Sequence, residues 1–400
     1  MSLIVMKFGG SSVADSAKLK NVAKRVIKEH QGGSKVVVVV SAQGDTTDDF
    51  ITKAAEVNAS PSRREMDVLL SAGEQISMAL LAMAIEAAGA PVVSLTGWQA
   101  EIFTDSNHSN ARVDKIVGER IRAELDRNNI VIIAGFQGIS KSDNITTMGR
   151  GGSDTTAVAI AAALRADVCE IYTDVDGVFT SDPRIVPSAY KLNDVSYDEM
   201  LELASLGANV LHNRSVEMAM KYNVPLMVKS SLKDVPGTII KEVNKVEKML
   251  VRGVTRDNDV AKVTLYGLDN DSAKVFNVFE LLARDKVSVD IILLSEADGK
   301  KDLTFTVSEG VLQQALDVIE KNSEFIGARR VSSETGVAKV SIVGAGMANN
   351  PGVAAAAFEA MADSGVEIKL VSTSEIKVTM LVDEKDAEKG VNALHEKFLG

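Results

Sequence analysis

The sequence predicts an α/β protein: a three-layer α/β/α domain followed by two smaller ferredoxin-like (βαββαβ) domains. Three observations lead to this prediction. The chain has 400 residues, its first part alternates short β-branched runs with helical patterns, and the rest contains an internal repeat. Because one domain usually holds roughly 100–200 residues, a chain of this length divides into two or three. We expect domains over residues 1–240, 246–335 and 336–400.

The first part contains four apolar runs of strand length. Runs of β-branched residues that alternate with helical patterns are typical of parallel strands joined by helices. The predicted buried strands are Val36–Val40, Val131–Ala134, Cys169–Thr173 and Leu226–Ser230.

Helices are indicated by apolar residues at spacings of three and four. One such face consists of Leu19, Val22, Ala23, Val26 and Ile27, and Asp15 or Ser16 is placed to cap its helix. A second face consists of Met66, Leu69, Leu70, Ile76, Leu80 and Leu81. The segment Ser196–Glu199 has the spacing of a capping box, which predicts the start of a third helix.

The last part of the chain repeats itself. Ala261–Thr264 recurs as Ala338–Ser341, and each copy is followed by a glycine, a helical pattern and another strand pattern. The predicted helices are Lys274–Leu282 and Val353–Met361, and the predicted strands are Ser288–Leu294 and Val366–Ser372. Such small domains expose sheet edges that pair with one another or with a second subunit. The boundary with the first domain is expected near Lys241–Glu247.

Composition narrows the class of partner. With 44 Lys and Arg against 55 Asp and Glu, the net charge of −11 argues against nucleic acid and anionic membranes as partners. We therefore expect small molecules or protein as partners.

The chain has one cysteine, Cys169, which excludes an internal disulfide. Because Cys169 lies in a strand pattern, we predict that its thiol is buried. Scattered histidines predict no metal site. Without a leader or an apolar run of ~18 residues, we expect a cytoplasmic protein.

Two glycine-rich segments stand where strands meet helices. Lys7–Ser12 (KFGGSS) ends the first strand, and Gly149–Asp154 (GRGGSD) opens a later helix. Helix N-termini with nearby cations suit a phosphate group. The alternatives are a plain connection for the first segment and, for the second, a surface pair of Arg150 with Asp154, in which Asp154 also caps the helix.

A third polar segment, Thr173–Arg184 (TDVDGVFTSDPR), follows a predicted strand. In open α/β sheets, ligands bind outside the carboxyl ends of the strands. The hydroxyl and carboxylate groups of this segment indicate either a nucleotide site or ordinary turn chemistry.

Together with Ser41–Asp48 and Glu74, these three segments resemble those of aspartokinases, members of the amino-acid-kinase superfamily that carry tandem C-terminal ACT repeats. The resemblance covers essentially the whole chain. It implies transfer of the γ-phosphoryl group of MgATP to the side-chain carboxylate of L-aspartate, the first step towards lysine, threonine and methionine, with no tightly bound metal or organic cofactor. Because a carboxylate is already ionised at pH 7, such an enzyme aligns its substrates and neutralises charge, and it requires no strong base.

The resemblance also implies residue roles. Lys7 would stabilise the transferring phosphoryl group, and Asp154 would orient Lys7. Arg150 would bind the α-carboxylate of aspartate and Glu74 its ammonium group. Further substrate contacts would come from the hydroxyl side chains of Ser41, Thr47 and Ser153. The nucleotide would be bound by Lys7, Gly9, Gly10, Ser12, Thr173, Asp174, Phe179, Asp182, Arg184, Asn209, Lys229 and Ser230, the last two beside the adenine.

ACT repeats bind amino acids, so the resemblance implies feedback inhibition by lysine, threonine or both. The implied effector contacts are Asp271, Ser272, Ala273, Asn350, Pro351, Gly352, Val353, Ser372, Thr373, Ser374 and Glu375. The repeats would also join chains into a homo-oligomer. A second translation start at Met249 would make a short subunit from the tail alone.

Two alternatives remain at this point. One is a sister carboxylate kinase of the same fold, which a panel of acceptors with ATP would reveal. The other is a non-catalytic amino-acid sensor, in which Lys7→Ala would change no turnover. The presence of Lys7, Glu74, Arg150 and Asp154 argues against the sensor.

One position departs from the family pattern. Where the resemblance expects lysine in Gly-Ala-Lys-Val-Leu-His-Pro, this chain has Asn209. Because a cation near the ATP phosphates is then missing, we predict that Asn209→Lys tightens ATP binding, measured by isothermal titration calorimetry. Unchanged or weaker affinity would show that another group already fills that role.

Overall fold

A computed structural model describes residues 2–208, 210–242, 250–269, 271–297, 299–347, 350 and 352–400. The chain forms two units. The first comprises Met1–Phe179, Lys191–Ser205 and Asn209–Lys245, and the second comprises Thr180–Tyr190, Leu206–Ala208 and Val246–Gly400.

The first unit alternates strands with helices along most of its length. Its strands, β1–β12 in chain order, are Leu3–Phe8, Lys35–Val40, Val92–Leu95, Ile102–Thr104, Val113–Ile116, Ile130–Ala134, Gln137–Ser140, Ile145–Thr147, Val168–Thr173, Asp194–Val195, Leu226–Ser230 and Thr238–Ile240. Its helices, α1–α7, are Ser16–Gln31, Thr46–Val57, Arg63–Ala87, Glu119–Asp126, Gly152–Leu164, Tyr197–Ser205 and Asn213–Tyr222. The four predicted strands are confirmed as β2, β6, β9 and β11.

Eight of these strands form one sheet in the order β10-β12-β11-β9-β1-β2-β6-β3. The pairs from β11 through β9, β1, β2 and β6 to β3 are all parallel, and β12 runs antiparallel to β11. Helices α1 and α3 pack on one face of the sheet and α5 on the other, which confirms the three-layer prediction. The strands β5-β4-β7-β8 form a separate small sheet.

The predicted helix caps are confirmed. The Asp15 side chain accepts a hydrogen bond from the Lys18 amide at 2.8 Å at the start of α1. Ser196 and Glu199 form the reciprocal capping box, since the Ser196 amide donates to the Glu199 carboxylate and the Glu199 amide donates to the Ser196 hydroxyl. Side chains thus satisfy amides that a helix start leaves without intrahelical partners.

Helix α3 buries a different face from the predicted one. Leu70 and Leu81 are buried as expected, but Ile76 and Leu80 are 46% and 37% exposed. The buried face includes two carboxylates, Asp67 and Glu74. The spacing of apolar residues could not predict this face, because the face includes buried polar and charged residues.

Among the described residues, α3 is also the helix that is long and apolar enough to cross a membrane by length and composition alone. The expectation that no apolar run reaches this length therefore does not hold for α3. The helix contacts α1 and the strands β2, β3, β6 and β8, as a core helix does.

The second unit contains two antiparallel sheets, ordered β15-β16-β14-β17 and β13-β18-β20-β19. Its strands β13–β20 are Gly253–Asp257, Ala261–Asp269, Ile292–Ala297, Lys300–Val307, Arg330–Glu334, Val337–Val343, Leu370–Thr373 and Lys377–Asp383. Its helices α8–α12 are Ser272–Arg284, Leu312–Lys321, Ser323–Ile326, Val353–Asp363 and Ala387–Leu399. Both predicted helices are present, whereas both predicted strands begin about four residues later than expected.

The division between the two repeats at residue 335 does not follow the sheets. Residues 261–334 supply all four strands of the first sheet, but 337–383 supply only three strands of the second. The fourth is β13, which lies in the first predicted repeat domain, 246–335, but pairs antiparallel with β18 of the second. A sheet edge is satisfied by any strand that reaches it, so sequence order does not determine this pairing.

The first predicted domain, 1–240, is also interrupted. Thr180–Tyr190 and Leu206–Ala208 belong to the second unit. Val186 lies in the apolar core of that unit together with Val254, and the Val254 amide donates to the Thr180 carbonyl at 2.7 Å. The predicted boundary near 241–247 and the proposed start at Met249 overlap residues 243–249, outside the described residues.

Candidate active site

A pocket of about 290 Å³ lies where β1, β2 and β6 end. Its walls come from the turns after these strands, from α3 and from the start of α5. The lining residues are Lys7, Gly10, Ser41, Ala42, Gly44, Thr47, Glu74, Phe136 and Gly149–Asp154. The structure thus brings both glycine-rich segments and the predicted aspartate contacts Ser41, Thr47, Glu74, Arg150 and Ser153 to one site.

An ion pair joins the two glycine-rich segments. The Lys7 ammonium lies 2.6 Å from a carboxylate oxygen of Asp154, and the two side chains are 13% and 12% exposed. Because successive strand residues point to opposite faces, Lys7 faces α5 while Phe8 packs in the core on the side of α1. The pair therefore holds a cation at the pocket. The alternative in which Asp154 pairs with Arg150 and caps α5 is wrong, since the N-cap is Gly151.

The turn after β1 lies against the loop after β2. A Cβ atom at Gly10 would be 2.5 Å from the Ala42 carbonyl oxygen, and the Gly44 amide donates to the Gly10 carbonyl at 3.1 Å. Only glycine permits this approach, because the Cβ atom of any other residue would collide with a backbone carbonyl oxygen.

Glu74 is a buried carboxylate with one oxygen unsatisfied. Its side chain lies in the pocket wall and the residue is 4% exposed. Oε1 accepts a hydrogen bond from the Ala42 amide at 3.2 Å, and Oε2 has no partner within the described residues. Burial raises the pKa of Glu74 to about 8. A cationic hydrogen-bond donor in the pocket would satisfy the free oxygen of Glu74 and lower its pKa again.

Arg150 lies on an exposed turn between two glycines in the left-handed region, Gly149 at φ 74° and Gly151 at φ 69°. Within the described parts of the chain, its guanidinium has no hydrogen-bond partner, and it lines the pocket. It is therefore available to a planar anion such as a carboxylate.

The predicted nucleotide residues are not all in this pocket. Lys7 and Gly10 line it, and Gly9 lies beside the Lys7 ammonium. Ser12 and Lys229 instead line a second cavity of about 420 Å³ beside α1. The Lys229 ammonium there pairs with the Glu170 carboxylate at 3.0 Å.

Other predicted nucleotide residues have local partners. The Thr173 hydroxyl donates to Asp174 at 2.9 Å, and the Ser230 hydroxyl accepts from the Lys233 amide at 3.3 Å. Phe179 ends the first part of the first unit and forms a β-bridge with Lys191.

Asp182 and Arg184 belong to the second unit. Their side chains form an ion pair at 2.7 Å, and hydrogen bonding by Arg184 lowers the pKa of Asp182. Asn209 lies outside the described residues.

The predicted effector residues lie in the second unit, at the turn after the first strand of each repeat and near β19. Asp271 caps α8 by accepting from the Ala273 amide at 2.9 Å, and the Asn350 side chain donates to the Gly346 carbonyl at 2.9 Å. The Ser374 amide donates to the Lys377 carbonyl at 2.9 Å. Residues at the start of α8 and α11 and around the end of β19 complete the set: Ser272, Gly352, Val353, Ser372, Thr373 and Glu375. Pro351 is outside the described residues.

Two groups near the pocket escaped sequence reasoning. Phe136 lines the pocket with φ 67°, a conformation that is rare for a bulky residue and gives no sequence signal. Asp67 is fully buried behind the Arg150 turn, and its only signal was its place on the same helix as Glu74. Cys169 is buried as predicted, and burial raises the pKa of its thiol.

Comparison with known proteins agrees with this site. A family model described as the amino acid kinase family matches residues 2–230, and an ACT domain model matches residues 340–398. The fold and the pocket therefore define an amino acid kinase.

Full-length relatives narrow the class. The chain is 50% identical over 400 residues to the aspartokinase of Bacillus sp. (strain MGA3), covering 100% of this chain and 97% of that one. It is 49% identical over 399 residues to aspartokinase 2 of Bacillus subtilis (strain 168), covering 100% and 98%. The structure of Escherichia coli aspartokinase III in complex with aspartate and ADP is similar over 100% of both chains, with a TM-score of 0.85 and 26% identity. The chain belongs to the aspartokinase family and is a phosphotransferase with a carboxyl group as acceptor.

The raised pKa of Glu74 predicts a pH-dependent stability of the unliganded protein. Because the folded pKa of about 8 exceeds the ordinary value of 4.5, the contribution of Glu74 to stability is complete below pH 4.5 and is lost as pH rises through 8. Glu74→Gln removes this loss. Its free energy of unfolding should exceed that of the wild type at pH 9, by at most about 5 kcal/mol, and the difference should shrink towards pH 5.

Urea denaturation at several pH values without ligands measures this difference. Glu65→Gln is a matched control, since Glu65 is exposed on the same helix. A difference that does not change with pH would contradict the prediction.

Proposed function

We propose that this chain transfers the γ-phosphoryl group of MgATP to the side-chain carboxylate of L-aspartate, with the residue roles given below. The single observation that carries the proposal is the pocket itself. It combines the Lys7–Asp154 pair with a buried carboxylate, Glu74, and the guanidinium of Arg150, which has no partner among the residues that the structure describes.

Glu74 and Arg150 match the two charges on the α-carbon of an amino acid. The free oxygen of Glu74 accepts from an ammonium group, and the ion pair formed on binding lowers the pKa of Glu74 back from about 8. Arg150 takes the α-carboxylate with two parallel hydrogen bonds. Ser41, Thr47 and Ser153 lie in the same pocket and have hydroxyl groups for the remaining oxygens.

Lys7 supplies the charge that the transfer step needs. A phosphoryl group passes between oxygens with negative charge spread over its equatorial oxygens, so catalysis is positioning plus neutralisation. The ammonium of Lys7 is held at the pocket by Asp154 at 2.6 Å, and the N-terminus of α5 lies in the same wall. Mg²⁺ enters with ATP as part of the substrate. The bound aspartate and ADP of Escherichia coli aspartokinase III support this choice of substrates.

We further propose that lysine, threonine or both inhibit the enzyme at the turns that begin α8 and α11. The ACT domain match over residues 340–398 supports the second of these positions. A role at the head of lysine, threonine and methionine synthesis, a cytoplasmic location and a homo-oligomer assembled through the ACT repeats belong to the same proposal. Nucleotide contacts at Thr173, Asp174, Phe179, Asp182, Arg184, Lys229 and Ser230 also remain predictions.

The residue roles predict separate kinetic effects. Lys7→Met should lower kcat by about 100-fold or more, because a preorganised charge at the transition state is lost. Arg150→Lys should instead raise KM for L-aspartate by about tenfold and leave KM for MgATP near the wild-type value, because lysine cannot form the two-pronged contact. ADP release from MgATP measures both, with glutamate and acetylglutamate as control acceptors. Full turnover in Lys7→Met would contradict the assignment of Lys7.

Feedback inhibition predicts a falling aspartate-dependent rate in dose series with L-lysine and L-threonine, given separately and together. D-lysine is the control for a stereospecific site. Activity that stays flat across every series would remove the proposed effectors while leaving the enzyme assignment intact.

A further inference from the structure

Helix α3 carries two buried carboxylates, Asp67 and Glu74, which are 0% and 4% exposed. They are seven residues apart, two helical turns, and so lie on the same face of the helix. Glu74 lines the pocket, whereas Asp67 does not. A fully buried carboxylate outside the pocket calls for partners that compensate for its lost hydration.

Three residues supply these partners. Nδ1 of His108 and the hydroxyl of Thr147 each lie 2.6 Å from an oxygen of Asp67, and the Ser109 amide donates to both oxygens at 3.0 and 3.1 Å. The Ser109 hydroxyl adds a longer contact at 3.4 Å. Since the carboxylate only accepts, we place a proton on Nδ1 of His108. The carboxylate thereby joins α3 to β8 and to the loop before β5.

These partners adjoin the turn that carries Arg150. Thr147 ends β8, and Met148 alone separates it from Gly149. A Cβ atom at Gly149 would lie 3.0 Å from the Ser109 carbonyl oxygen, so the loop packs directly behind the turn. The Ala111 amide donates to the Thr147 carbonyl at 2.9 Å.

Arg214 of α7 forms a second link between the same two segments. One guanidinium nitrogen donates to the Met148 carbonyl at 2.9 Å, and another donates to the Ala111 carbonyl at 2.6 Å. The Arg150 side chain has no hydrogen-bond partner in the described residues, so its position depends on the backbone of its turn. That backbone is supported from behind by Asp67 and Arg214.

We propose that Asp67 is a positioning residue for aspartate recognition, which holds the Arg150 turn at a set distance from Glu74 on the same helix. The inference rests on the proposed function, in which Arg150 and Glu74 bind the two charged groups on the α-carbon. One rigid helix thus sets the separation of the two recognition groups, directly for Glu74 and through Ser109 and Thr147 for Arg150. Arg214 supports the same turn through its hydrogen bond to the Met148 carbonyl.

Asp67→Asn tests this role, because it keeps the shape but places an amide donor among the donors of His108, Ser109 and Thr147. KM for L-aspartate should rise about tenfold, since small misplacements of a binding group have effects of this size. KM for MgATP and kcat at saturating aspartate should stay within about twofold of the wild type. Asp105→Asn is the matched control, because Asp105 accepts backbone amides in the same loop, those of Asn107 and Arg112. It should leave all three constants unchanged.

Two competitive inhibitors distinguish a displaced Arg150 from a general disturbance of the pocket. Succinate lacks the ammonium group and depends on Arg150, whereas β-alanine lacks the α-carboxylate and depends on Glu74. Asp67→Asn should weaken inhibition by succinate about as much as it raises KM for aspartate, and should weaken inhibition by β-alanine much less. Equal loss of both inhibitors would overturn the proposal and indicate a merely structural role.

Two further arms keep the test decisive. If Asp67→Asn does not fold, as judged by its thermal transition, Thr147→Val removes one donor to Asp67 and should produce the same split with a smaller rise in KM. If Arg150→Lys leaves KM for aspartate unchanged, the proposed role of Arg150 in aspartate binding fails, and the positioning role fails with it. If Arg150→Lys raises KM but neither Asp67→Asn nor Thr147→Val does, only the positioning role is overturned.

Discussion

The pocket depends on one constraint: the parallel strands β1, β2 and β6 end at the same edge of the sheet. Parallel pairing brings together turns that are far apart in sequence, so Lys7, Ser41 and Phe136 come to line one space. Helix α5 then directs its N-terminus to the same edge, and the 2.6 Å contact between Lys7 and Asp154 joins sheet and helix there. The turns after β1 and β2 can meet only because position 10 is glycine.

The charges of the pocket are arranged unequally. Lys7 has a protein partner and keeps its position without substrate, whereas the free oxygen of Glu74 and the guanidinium of Arg150 have none in the described residues. A buried carboxylate without a cation is unfavourable, and the raised pKa of Glu74 expresses this. Under the proposed function these two groups recognise the substrate, and a loss of stability at such groups is a common exchange at functional sites. The Lys7 ammonium, in contrast, already has the Asp154 carboxylate as its partner. Asp67 is a buried carboxylate on the same helix as Glu74, but unlike Glu74 it is satisfied, because donors from three residues contact it.

In the second unit, the order of the strands in the sheets differs from their order in the sequence. β13 precedes β14 in the chain yet completes the sheet that contains β18. The polar segment Thr173–Arg184 likewise divides between the two units after Phe179. Both features arise because backbone edges and apolar side chains find partners without regard to position along the chain.

The sequence by itself determined the layered architecture, the four central strands, the caps of α1 and α6, the tandem repeat and the two glycine-rich segments that carry Lys7 and Asp154. These follow from local patterns: β-branched runs, helical spacing, capping side chains and glycine at helix starts. Only the tertiary structure decided the buried face of α3, the hydrogen-bond partners of the buried Asp67, the left-handed backbone conformation of Phe136 and the sheet that β13 joins. Each of these depends on a contact between residues distant in sequence, and neither local propensity nor periodicity contains that information.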